Sequence, residues 1–78
     1  MRGTSLTEAQ RRVLAVLSHG GLLSIDQISR DAELTRLRAR TIVSALRGRG
    51  LVAPGVGIGS GRYRITSSGL ARARVRAA

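Results

Sequence analysis

Residues 35–48 read Thr35-Arg36-Leu37-Arg38-Ala39-Arg40-Thr41-Ile42-Val43-Ser44-Ala45-Leu46-Arg47-Gly48. Ala39, Ile42, Val43 and Leu46 recur at i, i+3, i+4 and i+7, the single apolar stripe of a half-buried helix. Thr35 stands where an N-cap belongs, and Gly48 and Gly50 close the segment. With the stripe turned inward at about 100° per residue, Leu37, Thr41, Ser44 and Gly48 project outward. Arg38 and Arg40 then border that face on opposite flanks. Such a surface suits a duplex groove. Hydroxyls can bond base edges or phosphates, a guanidinium can take guanine O6 and N7, and Leu37 matches a thymine methyl. The plainer alternative is a solvated helix face with one stray leucine, but no acid in this half of the chain balances the arginines.

Upstream, Leu34 sits in a turn. Before it, Ser24 and Gln27 form a capping box that opens a short helix with Ile25, Ile28 and Ala32 inward, ending around Asp31 or Ala32. Leu22-Leu23 is a short extended piece. A second capping box, Thr7 with Gln10, opens the first helix. Its apolar face holds Ala9, Val13, Leu14 (or Val16) and Leu17, and His19-Gly20-Gly21 ends it. Residues 1–5 read as a disordered tail.

Downstream, Leu51-Val52-Ala53 reads as a strand, Pro54 to Gly61 as a flexible glycine-rich turn, and Arg62 to Thr66 as a strand alternating charged and apolar residues. Arg62 and Arg64 share one face of it, placed to contact phosphate or to reach into a minor groove from the hairpin tip or, in the plainer alternative, to keep an edge strand soluble. Tyr63 and Ile65 share the other face, which makes Tyr63 a core residue rather than a stacking platform. Thr66 or Ser67 caps a last helix with Leu70, Ala73 and Ala77 on one side, and Gly69 weakens its start. The expected fold is α+β, mostly α. It is a winged helix-turn-helix with a three-helix core, a two-stranded β-hairpin wing at about residues 51–66, and a short C-terminal helix. It forms a single domain over residues 6–78.

The charge agrees with the groove-facing reading. The 78 residues carry 14 basic groups, all arginine, against four acids, for a formal charge of +10. The acids, Glu8, Asp26, Asp31 and Glu33, all precede residue 34, so the first 33 residues are neutral and the whole excess lies in 34–78. Self-repulsion on that scale points to a polyanion, and arginine grips phosphate and guanine bidentately where lysine cannot. With Tyr63 the only aromatic, platforms for stacking single-stranded bases are lacking.

Other chemistries have little support. There is no cysteine, hence no disulfide framework and no thiolate zinc site. The run Gly55-Val56-Gly57-Ile58-Gly59-Ser60-Gly61 has neither the spacing of a dinucleotide loop nor the lysine of a phosphate loop. His19 is isolated at a helix C-terminus and the acids form no pair, so neither an enzyme nor a metal or cofactor is expected. No apolar run is long enough for a membrane span, and no leader pattern is present.

Two stretches carry a family resemblance. One is Ile28-Ser29-Arg30 with Leu34 through Val52, where a Leu-Thr turn leads into a helix ending in Arg47-Gly48-Arg49-Gly50-Leu51-Val52. The other is Arg62-Tyr63-Arg64-Ile65-Thr66-Ser67-Ser68-Gly69-Leu70. Together they resemble the helix-turn-helix and wing of bacterial MarR-type transcriptional regulators, over residues 6–70 or so. The resemblance implies that residues 36–44 enter the major groove and that Arg62 and Arg64 lie on the wing. Family members dimerise through long terminal helices. Here the five-residue tail and the stub after Leu70 leave a homodimer and a monomer both open.

The function expected is sequence-specific binding of double-stranded DNA by a small cytoplasmic, nucleoid-associated regulator of bacterial or phage origin. The residues expected to carry it are Thr35, Arg36, Leu37, Arg38, Arg40, Thr41, Ser44, Arg47, Arg62 and Arg64. The rivals are an RNA- or ribosome-associated basic binder and a winged-helix protein-interaction adaptor.

Overall fold

Among the described residues the chain forms four helices and a small sheet. In order they are α1 (Glu8–Leu17), β1 (Leu23–Ser24), α2 (Ile25–Ala32), α3 (Arg36–Gly48), β2 (Val52–Pro54), β3 (Arg62–Ile65) and α4 (Ser67–Arg74). The computed structural model describes residues 5–57 and 60–74. Residues 1–4 of the expected tail, Ile58 and Gly59 at the wing tip, and Ala77 lie outside the described residues. Ser5 is placed, and its carbonyl accepts a hydrogen bond from Arg49 Nη1 at 3.4 Å.

Both capping boxes form. Thr7 and Ser24 each take up the backbone N–H three residues on, while Gln10 and Gln27 reach back to the cap N–H. Val13, Leu14 and Leu17 of α1, Ile28 and Ala32 of α2, and Ala39, Ile42, Val43 and Leu46 of α3 meet in one core with Leu51 and Val52. Each fully buried leucine, isoleucine or valine contributes about 1.5–3 kcal/mol relative to exposure. With one aromatic in the chain, this aliphatic cluster carries the fold.

The turn between α2 and α3 uses an unexpected residue. Glu33 adopts a left-handed conformation (φ 59°, ψ 48°), the only non-glycine residue to do so among those described. Its N–H and that of Leu34 return to the carbonyls of Arg30 and Ser29, satisfying the end of α2. Arg12 of α1 meets the Glu33 carboxylate at 3.4 Å.

The hairpin is joined by a third strand. The extended piece before α2 becomes β1 and pairs antiparallel with β3, giving the order β1-β3-β2. Leu23 lies opposite Tyr63 and Ser24 opposite Arg62, while Val52, Ala53 and Pro54 face Ile65, Arg64 and Tyr63. The strand of Arg62 and Arg64 is thus central, so the idea that its arginines guard an edge fails. Pro54, which cannot donate to a ladder, falls on the flanking strand, as its missing N–H requires.

The start of α4 has Thr66 as its cap and gives Gly69 a packing role. Thr66 donates its hydroxyl to the Gly50 carbonyl at 2.7 Å, accepts from the Gly69 N–H at 3.0 Å, and gives its own N–H to the Leu51 carbonyl. Gly69 is buried, and a Cβ there would run into the Leu51 carbonyl and Ile65 Cγ1. Its lack of a side chain is what lets α4 close on the end of α3.

Candidate nucleic-acid interface

Helix α3 begins where the Thr35 hydroxyl accepts from the Arg38 N–H at 3.1 Å, so Thr35 works first as a cap. Its four stripe residues are buried, and that fixes the helix's rotation. Leu37, Arg38, Arg40, Thr41, Ser44 and Arg47 are all exposed, with Leu37 at 74%. At about 100° per residue, Arg36, Arg40 and Arg47 stack along one flank and Arg38 stands on the other. Leu37, Thr41 and Ser44 run between them.

Arg36 differs from its neighbours. Its Nε meets Asp26 Oδ1 of α2 at 2.6 Å, and both side chains stay more than half exposed. Asp26 was not among the residues expected from the sequence. It lies ten positions away across a turn, and only the crossing of α2 and α3 brings it close. Among the described residues, Arg38, Arg40, Arg47, Arg62 and Arg64 take part in no ion pair.

An open cleft of about 340 Å³ lies between the start of α2, the first two turns of α3 and the root of the wing. Ser24, Asp26, Arg36, Arg40, Gly61 and Tyr63 are among the residues that line it. The β1–β3 pairing holds this arrangement, because Ser24 caps α2 and also faces Arg62 in the sheet. Tyr63 and Ile65 are half-buried and pack against the core, whereas Arg62 and Arg64 are exposed. The two arginines leave β3 on the face opposite Tyr63, so they lie on the wing but outside the cleft that gathers Arg36 and Arg40.

Among the described residues, no group of histidines, cysteines or acids could hold a metal ion. No described helix is long and apolar enough to cross a membrane.

No family model matches the sequence, and neither does any curated protein. Solved structures do match in fold. The MarR family transcriptional regulator SPO1453 from Silicibacter pomeroyi DSS-3 superposes with a TM-score of 0.81 at 29% identity, over 92% of this chain and 52% of that one. The PcaV transcriptional regulator from Streptomyces coelicolor does so with a TM-score of 0.81 at 27% identity, over 91% of this chain and 52% of its own. Bordetella bronchiseptica BpsR, whose DNA binding is regulated by 6-hydroxynicotinic acid, shares the fold at 23% identity with a TM-score of 0.82, over 94% and 54%. The chain therefore has the winged helix-turn-helix fold of MarR-type transcriptional regulators, whose domain it resembles while spanning about half their length.

Proposed function

We propose that this domain binds double-stranded DNA and reads its sequence, with α3 in the major groove and the arginines of β3 on the phosphate backbone. The observation that carries the reading is the outward face of α3. Leu37, Thr41 and Ser44 are exposed between two arginine flanks, on an element whose own residues include no acid. Arg40 and Thr41 contact base edges, Arg38, Arg47, Arg62 and Arg64 contact phosphate, and Thr35 keeps the helix start in register. The role is binding rather than catalysis, in the cytoplasm at the bacterial or phage genome. A homodimer, as the family resemblance implies, would set two such helices about one DNA turn apart, roughly 34–36 Å.

Selection of bound sequences from random DNA duplexes, with matched RNA duplexes as competitors, tests the reading. Enrichment of a sequence motif and weak competition by RNA are expected, since the A-form major groove is too narrow to admit α3. Equal competition by RNA, or no enriched motif, would overturn it.

A further inference from the structure

We infer that Asp26 is a positioning residue for sequence readout, holding the Arg36 guanidinium by its Nε edge so that the terminal nitrogens face a guanine. The inference rests on the DNA-binding reading above and adds to it a residue of α2 outside the reading helix.

Three observations carry it. The contact is made through Nε, at 2.6 Å. A guanidinium engaged there keeps its Nη1–Nη2 edge as a fork, the geometry that fits guanine O6 and N7. Both partners are largely exposed, 65% for the Arg36 side chain and 56% for that of Asp26, so the pair adds little to the fold and stays open to a ligand. Finally, Arg36 is the first residue of α3, at the end of a recognition helix that meets base edges, and it lines the cleft between that helix and the wing root.

Arg38, Arg40, Arg47, Arg62 and Arg64 have no such carboxylate partner among the described residues. A carboxylate facing phosphates weakens binding to every sequence. What it supplies in return is orientation, since a guanidinium already held in place loses less rotamer freedom on meeting its base. Specificity gained through an element that disfavours indiscriminate binding is a general device of recognition surfaces.

The test uses the full chain and the DNA site selected by it. Affinities of wild type, Asp26→Asn, Asp26→Glu, Arg36→Ala and the double variant Asp26→Asn/Arg36→Ala are measured at fixed salt. Each is measured on that site, on every single base-pair substitution of it and on a random duplex, with the melting temperature followed in parallel. Asp26→Asn should lower the preference for guanine at one base pair by roughly tenfold while tightening binding to the random duplex. Asp26→Glu should recover part of that preference. In the Arg36→Ala background, Asp26→Asn should change the preference no further.

Retention of the full preference by Asp26→Asn would overturn the inference. So would a loss spread evenly over all positions in step with the melting temperature, or a further loss in the Arg36→Ala background. A wild type that selects no site would overturn the DNA-reading function and this inference with it. A selected site that tolerates Asp26→Asn overturns only the role of Asp26.

Discussion

Gly69 of α4 lies directly against the carbonyl of Leu51, at the point where the chain leaves α3 and enters the wing. Together with Thr66, which bonds the carbonyls of Gly50 and Leu51, it seals the C-terminal helix onto the segment that joins α3 to β2. Glycine is required there by contact, since its φ is not in the left-handed region.

Gly69→Ala should therefore destabilise the domain by about 1–3 kcal/mol, because the blocking atoms include backbone that cannot step aside. Gly48→Ala is the counterpart. At the last residue of α3, with open space around a new Cβ, it should leave stability unchanged or raise it by up to about 1 kcal/mol. Thermal and denaturant unfolding of the two variants checks the contrast.

Binding to random duplex DNA should depend steeply on salt. If five to seven arginines per protomer meet phosphate, log K against log salt should slope at about −4.5 to −6. Titrations over a range of salt concentrations measure it. A slope shallower than about −2 would leave the basic half of the chain without its assigned role.

Arg62→Ala and Arg64→Ala should weaken binding to all sequences by similar factors and make the salt slope shallower by about one unit each. Both side chains are exposed and point away from the cleft beside α3, as suits backbone contacts. A loss confined to one class of sequences would show instead that the wing senses bases or groove shape.

Arg40→Ala and Thr41→Ala should cost about 1–3 kcal/mol each on the selected site and much less on random DNA. Ile42→Ala, the control, removes a side chain only 8% exposed and should lower the melting temperature, affecting DNA binding only through stability. Affinities on selected and random duplexes, read beside unfolding curves, separate the two effects. If Arg40→Ala and Thr41→Ala leave the sequence preference intact in a folded protein, α3 is not the reader.

Much of this architecture was legible in the sequence because it is written in short-range pattern. The capping boxes at Thr7 and Ser24, and the spacing of Ala39, Ile42, Val43 and Leu46, are encoded within a few residues, and each formed. Features made by distant segments were not legible. The pairing of Leu23 with Tyr63 involves a strand of two residues, too short to show a period. Gly69 looked like a weak helix former because propensity does not register a backbone packed against it. The Asp26–Arg36 pair depends on how two helices cross. At Glu33, the tertiary constraint that joins α2 to α3 overrides the residue's own backbone preference.

The short strand β1 also bears on the order in which the domain assembles. The three-helix core closes mostly through segments near one another in sequence. The Leu23–Tyr63 pairing spans some forty residues, so its loop-closure cost exceeds that of the contacts between neighbouring helices. The expected consequence is that the β1–β3 ladder opens at lower cost than the core, so amides of β1 and β3 should exchange with solvent through sub-global openings while those of α3 wait for complete unfolding. A partly opened chain of that kind would keep α3 while the tie between β1 and the hairpin is lost.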